Sequence, residues 1–222
     1  MSEARGDPTG FVPPVIGLTG GIAAGKSTVS ERLAARGAHV VDADRVGHRV
    51  LMRGGEAYAR VVASFGAEIL DETEEIVRPR LGRLVFADTA RLAELNRLTH
   101  PPMAERMRRE FAEVRSRPSP PPFIVLDAAV LFEAGWDALC DEVWTVSAHP
   151  ARALERLVAR NRLTPDAARA RIEAQLANAE REARAHRVIR NDGTLDELAA
   201  AADSLAAAIC SGACAFAPPP LR

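Results

Sequence analysis

The stretch Gly20-Gly21-Ile22-Ala23-Ala24-Gly25-Lys26-Ser27 constrains the fold of this chain more than any other. It has the spacing G-x-x-x-x-G-K-[ST], in which glycines let the backbone wrap around phosphate groups, a lysine reaches them and a hydroxyl meets their metal ion. Such a loop works only between a strand that delivers it and a helix whose free N–H groups complete it. Both neighbours fit. Val15-Ile16-Gly17-Leu18 is an apolar run of the kind found in buried strands, and Thr28 to Arg36 places Val29 and Leu33 on one face with charge opposite, a helical pattern. The chain contains 29 Lys plus Arg, and Lys26 is the sole lysine among them. A planar guanidinium does not replace a slim ammonium that must reach between two phosphates. Retention of lysine at this one position therefore points to phosphate binding.

The remaining composition narrows the class. A chain of 222 residues is long enough for one domain with inserted pieces. The net charge of -1 gives no electrostatic case for nucleic acid or a membrane surface. No apolar run approaches a membrane span, and no basic segment leads into an apolar core at the N-terminus, so a cytoplasmic location is expected. Cys140, Cys210 and Cys214 make no disulfide framework and read as small apolar residues.

Taken in order, residues 1–14 and 211–222 are expected to be flexible tails, with a single domain over 15–210. Gly37 is placed to end the first helix. Ala38 to Val41 is a second buried strand, running into Asp42-Ala43-Asp44. Carboxylates two apart on an extended segment project to the same side, and at the C-terminal end of a strand they face the ligand crevice. Asp44 could equally cap the next helix. Residues 45–117 are read as a helical insertion, with Glu68-Ile69-Leu70 extended and His100-Pro101-Pro102 separating the helices Thr89–Leu98 and Met103–Arg115. Phe123 to Leu126 is a third strand ending in Asp127, an acidic strand end suited to the shell of a Mg²⁺ ion. Glu142 to Val146 is a fourth strand. Residues 150–186 are read as two helical runs, Val188-Ile189 as a fifth strand, and Leu195 to Cys210 as the last helix.

Arg152, Arg156 and Arg160 repeat every fourth residue, so they line one helix face. Like charges at that spacing repel slightly, and an anionic ligand would relieve them. Five strands alternating with helices predict an α/β P-loop NTPase fold: three layers, a five-stranded parallel sheet with helices on both faces, a helical acceptor-binding insertion and a helical lid over 150–186. With one lysine, an Asn-Lys-x-Asp guanine-reading motif is absent. A small chain with a helical insertion after the second strand and an arginine-rich helical pair before the fifth fits a small-molecule kinase, with a nucleoside or shikimate-type kinase or a nucleotide-sensing protein as alternatives.

Several ordered motifs carry a resemblance to a known family. They are Ile16 to Thr28, Val40-Val41-Asp42-Ala43-Asp44, Arg78 with Leu81-Gly82, His100-Pro101, Leu131-Phe132-Glu133, Arg156 with Arg160, Gln175, and Val188-Ile189 followed by Asn191-Asp192-Gly193. Over nearly the whole chain this sequence resembles the dephospho-coenzyme A kinases. It departs from their usual pattern at Ala24, Ala129-Val130, Asn161 and Glu74-Glu75. The resemblance implies transfer of the γ-phosphate of ATP, with Mg²⁺, to the ribose 3′-hydroxyl of dephospho-CoA. It implies nucleotide binding by Gly20, Gly21, Ile22, Ala23, Ala24, Gly25, Lys26, Ser27 and Thr28, with Arg156, Arg160 and the backbone near Asn191. Lys26, Asp44 and Arg156 would be catalytic, Asp44 handling the hydroxyl proton. Arg78, His100, Leu131 and Glu133 would join Asp44 in binding the acceptor. Ser27 and Asp127 would serve the metal, with Asp42 near its outer shell. The expected enzyme is a monomer or small homo-oligomer, with no nucleic-acid or membrane partner.

Overall fold

A computed structural model of the chain describes residues 11–211. They fall into two compact units, one made of residues 11–41 and 111–211 and the other of 42–110.

The first unit is built on a five-stranded sheet. Its strands are β1 (Val15–Gly20), β2 (His39–Asp42), β3 (Ile124–Asp127), β4 (Glu142–Ser147) and β5 (Arg187–Arg190), in the order β2-β3-β1-β4-β5. β1 pairs in parallel with β3 and β4, and β4 with β5. Every residue of β1 is buried, as a central strand covered on both faces requires. The connection leaving β1 passes β3 to reach β2, whereas the connection leaving its other neighbour, β4, runs the opposite way to β5. The C-terminal end of β1 is therefore a switch point, where α/β sheets open a ligand crevice.

On one face lie α1 (Lys26–Ala35) and α9 (Leu195–Cys210). Val29, Leu33, Leu198, Ala202, Ala206 and Ile209 pack there against Ile16, Leu18, Val125, Trp144 and Val146. Each fully buried large apolar side chain contributes about 1.5–3 kcal/mol, and the small Ala202 and Ala206 let α9 approach closely. Asp203 ties the two helices together, accepting from Arg32 and Arg36 at 2.7 Å each. These hydrogen bonds hold its carboxyl well below the usual carboxylate range. Thr194 and Glu197 form a reciprocal capping box at the start of α9. Phe111, Val114, Leu131, Phe132 and Trp136 are buried in this unit as well, and Leu131 and Cys140 lie against Gly17 of β1.

Between β4 and β5 the chain forms three helices, α6 (Pro150–Asn161), α7 (Pro165–Glu173) and α8 (Asn178–Arg184), where the sequence suggests two runs. The Ala-, Arg- and Glu-rich stretch contains no breaker around residue 175. Tertiary hydrogen bonds mark the break instead: Gln175 accepts from the Ile22 N–H at 2.7 Å, and Asn178 donates to the Ala148 carbonyl at 3.1 Å.

The second unit holds α2 (Ala43–Leu51), α3 (Tyr58–Phe65), α4 (Arg78–Phe86) and the start of α5 (Thr89–Arg115). Val46, Val50, Val61, Phe65, Leu81 and Met107 are among its buried residues. Two expectations are corrected here. Residues 67–69 form one 3-10 turn, and only Leu70 is extended, bridging Ile76 across an acidic turn that the Asp71 carboxylate closes by accepting from Thr73 and Glu75. The His-Pro-Pro segment does not interrupt the chain either: α5 is one helix of 27 residues with Pro101 and Pro102 inside it. Proline removes a donor to the preceding turn, yet buried Leu98, Met103 and Met107 anchor both sides of the lesion.

Candidate active site

The phosphate loop leaves β1 at its C-terminal end and turns tightly, with the Ala24 N–H donating to the Gly21 carbonyl at 3.1 Å. Gly25 takes the N-cap position of α1 at φ 99°, a left-handed conformation that favours glycine. A side chain there would also come within 2.4 Å of Asn191 Nδ2. Ala23 is left-handed as well, at φ 59°. Beyond Gly25 the first-turn N–H groups of α1 have no partner within the helix. They carry the positive end of its dipole, and no acidic side chain sits in that turn. A concave run of N–H groups at a helix start is an anion site.

A cavity of about 710 Å³ opens over the loop, lined by Gly20 to Thr28 with Ala129, Arg156, Ala159, Arg160 and Gln175. Lys26 Nζ is paired with the Asp127 carboxylate at the end of β3. Ser27 is exposed beside it. The Ser27 hydroxyl and Asp127 carboxylate are oxygen donors of the type a hard Mg²⁺ ion takes. Lys26 and Asp127 thus meet at the C-terminal end of the sheet, with Ser27 next in the chain.

The arginine row divides. Arg152 is exposed and paired with Glu155 at 3.4 Å on the helix surface, so no ligand is needed to balance it. Arg160 lies on the cavity wall and donates to the Asn161 side chain. Arg156, half-buried on the same wall, donates to Asn191 Oδ1 at 3.2 Å. Asn191 is only 2% exposed. Its Nδ2 donates to the Ala24 carbonyl at 2.8 Å, so its side chain braces the loop and orients Arg156.

The carboxylate pair is arranged differently from the sequence reading. The strand ends at Asp42, which caps α2 by accepting from the Asp44 and Arg45 N–H groups at 2.8 and 3.1 Å. Asp44 lies in the first turn of that helix, exposed. The two side chains therefore do not project together from one extended segment, and the capping role falls to Asp42. Arg78 is the exposed first residue of α4, and His100 is half-buried within α5, burial pushing its imidazole below the usual value. Asp44, Arg78 and His100 all belong to the 42–110 unit.

Leu131, expected to touch the acceptor, is fully buried. Its side chain packs in the core against Gly17 of β1. Glu133 is exposed and lies 3.8 Å from Arg181 of α8. Sequence reasoning passed over Asn178 and Arg181. Arg181 is one of nine arginines between 150 and 187, and no spacing rule separates it from the rest.

With this geometry in view, comparison with known proteins is decisive. The dephospho-CoA kinase family model matches residues 14–197. The chain belongs to the dephospho-CoA kinase family. A dephospho-CoA kinase of Carboxydothermus hydrogenoformans is 43% identical over 186 residues, covering 84% of this chain and 89% of that protein. One from Bacillus cereus is 42% identical, covering 82% of this chain and 90% of the relative. A crystal structure of a Thermus thermophilus protein superposes with a TM-score of 0.72 at 30% identity, covering 89% of this chain and 98% of that one. A Campylobacter jejuni dephospho-CoA kinase shares the fold at a TM-score of 0.61 and 22% identity, covering 91% of this chain and all (100%) of that one. Family membership assigns this chain ATP-dependent phosphorylation of dephospho-CoA, a step of coenzyme A biosynthesis. Among the described residues no helix is long and apolar enough to cross a membrane.

Proposed function

We propose that the phosphoryl group passes from ATP to the ribose 3′-hydroxyl of dephospho-CoA, and that the loop of residues 20–28 holds the donor. The observation that carries this reading is the nest of N–H groups at the start of α1, with Lys26 and Asp127 meeting beside it. In this reading Lys26 leaves Asp127 to lie between the β- and γ-phosphates. The Ser27 hydroxyl and the Asp127 carboxylate would then hold Mg²⁺, which when bound neutralises charge on those phosphates. Asp44 accepts the proton of the attacking hydroxyl, a role worth about 10²–10⁴-fold in rate. Its exposure, with Asp42 taking the cap, leaves its carboxylate available. Arg156, held by Asn191, steadies negative charge as the phosphoryl group moves, with Arg160 beside it. Arg78, His100 and Glu133 hold the acceptor. Helices α6 to α8 act as a lid that excludes water, so that ATP is not simply hydrolysed. The enzyme works in the cytoplasm as a monomer or small homo-oligomer and has no nucleic-acid partner.

The test is turnover with dephospho-CoA, AMP, a nucleoside and shikimate as competing acceptors, followed by positional analysis of the product. Dephospho-CoA is expected to be used far ahead of the others and phosphorylated at the 3′ position. Equal use of the acceptors, or phosphate at another position, would refute the assignment.

A further inference from the structure

Arg181 is buried as almost no arginine is. Only 2% of it is exposed. A guanidinium cannot shed its charge in a protein, and an unpaired buried charge is strongly unfavourable, so such groups are ordinarily forked onto a carboxylate. Arg181 is not. Its Nε and Nη2 are buried without a hydrogen-bond partner, and Nη1 makes one long bond of 3.4 Å to Asn178 Oδ1. Its ion pair among the described residues is a single contact, at 3.8 Å from Glu133. Burial, the largest influence on the guanidinium, pulls its pKa downward, and Glu133 only partly offsets it.

What this arginine faces is the start of the phosphate loop. A Cβ built on Gly21 would lie 3.5 Å from Arg181 Nη1 and 3.0 Å from Asn178 Oδ1. Arg181, Asn178 and Gln175 line a cavity of about 640 Å³ whose floor is Gly21, Ile22 and Ala24. The same three floor residues and Gln175 also line the cavity that holds Lys26, Arg156 and Arg160. The two spaces therefore meet over the loop. Two hydrogen bonds fix the position of Arg181: Asn178, three residues earlier, is held to the end of β4 through Ala148, and Gln175 is held to the loop itself.

The strand order supplies the direction of approach. β1 lies between β3 and β4. Lys26 is drawn to Asp127 at the end of β3, and Arg181 stands by the end of β4. The helix N-terminus cradles the inner phosphates, while the lysine reaches the outer ones. The strand-end side of the loop, at Gly21, is therefore the side of the terminal phosphate.

We propose that Arg181 is a phosphate-contacting residue of this enzyme, whose under-partnered guanidinium, facing the loop through Nη1, turns to bind the terminal, transferring phosphoryl group of ATP from the side opposite Lys26. This rests on the reading of the loop as the ATP site. A charge-assisted fork is the strongest hydrogen-bonding arrangement available to phosphate oxygens. Two cations on opposite sides of the moving group stabilise the charge it carries between donor and acceptor oxygens. Gly21 is needed for the approach, because a side chain there would crowd the contact. Glu133 balances the guanidinium when no nucleotide is present.

The test is direct binding of ATP and of ADP, without acceptor, to the wild type, Arg181→Met and Arg181→Lys, with melting curves and kcat for each. In Arg181→Met the preference for ATP over ADP is expected to fall by about tenfold or more, ADP affinity staying within about twofold, with kcat down about 10²–10³-fold. Arg181→Lys keeps the charge but loses the fork, so it is expected to lose part of the ATP preference. An unchanged ratio of ATP to ADP affinity in either variant overturns the proposal, as does an equal loss for both nucleotides. If Arg181→Met does not fold, the ratio in Arg181→Lys decides: a wild-type value makes Arg181 structural. Because no acceptor is present, a mistaken acceptor would leave this result intact and would show only in the competition assay.

Discussion

At the scale of single residues, the site depends on side chains that hold other groups in place as much as on those expected to meet a ligand. Asn191 is the clearest case. One amide group donates to the Ala24 carbonyl inside the phosphate loop and accepts from Arg156. Loss of one partner of a buried bond leaves the other unsatisfied, at about 1–3 kcal/mol. Asn191→Ala is therefore expected to lower the denaturation midpoint and also weaken ATP binding, since the loop and Arg156 lose their common support. Asn191→Asp retains an acceptor for Arg156 but turns a carboxylate oxygen toward the Ala24 carbonyl, so it should not rescue the loop. Urea unfolding and ATP titration on the two variants check both expectations. Asp42 shows the same division of labour, its carboxylate capping α2 while Asp44 stays exposed.

Among the elements, α1 and α9 form the platform behind the loop. The polar tie between them is Asp203 with Arg32 and Arg36. The carboxyl of Asp203 is held well below its ordinary value, chiefly by hydrogen bonds from those arginines. A carboxyl whose folded-state pKa is depressed adds stability above its unfolded value, about 4, and loses it as pH falls through the folded value. Asp203→Asn should therefore melt below the wild type at neutral pH. The gap should hold down to about pH 4 and close in stronger acid. A gap of the same size at every pH, measured by thermal melts in matched salt, would contradict the role of the charge. Helices α6 to α8 teach a complementary lesson. Around residue 175 their sequence favours helix, yet the chain breaks at Gln175 to Ala177, where Gln175 and Asn178 bond outward, to the loop and to the residue after β4.

On the scale of the whole molecule, the residues proposed to act on donor and acceptor belong to different units. The phosphate loop, Asp127, Arg156 and Arg181 lie in the sheet-bearing unit, whereas Asp44, Arg78 and His100 lie in the 42–110 unit. Donor and acceptor functions should separate in the same way. Asp44→Asn is expected to lower kcat by about 10²–10⁴-fold while ATP affinity stays near that of the wild type. A parallel loss of ATP binding, read by titration without acceptor, would make Asp44 a phosphate or metal residue instead of the group that takes the hydroxyl proton.

Much of this architecture was legible in the chain because the relevant physics is local. A loop with glycines at fixed spacing, an apolar strand before it and a helix after it specify one another within twenty residues. β1, α1, the strand ending at Asp127 and the capped helix after Thr194 are recognisable for the same reason. Lys26 stands out because a single lysine among arginines carries its own signal. The rest depended on distance in space. Whether two prolines break a helix depends on what packs beside them, and α5 stays continuous. Which of Asp42 and Asp44 becomes a cap depends on where the strand stops. Which of many arginines is buried against the phosphate loop depends on the end of β4, more than thirty residues before Arg181 in the chain. Sequence alone determined that this chain binds nucleotide phosphates, because a backbone cradle is written in consecutive residues. Only the tertiary structure decided which side chains surround that cradle, because burial and charge pairing are set by neighbours that the order of residues does not name.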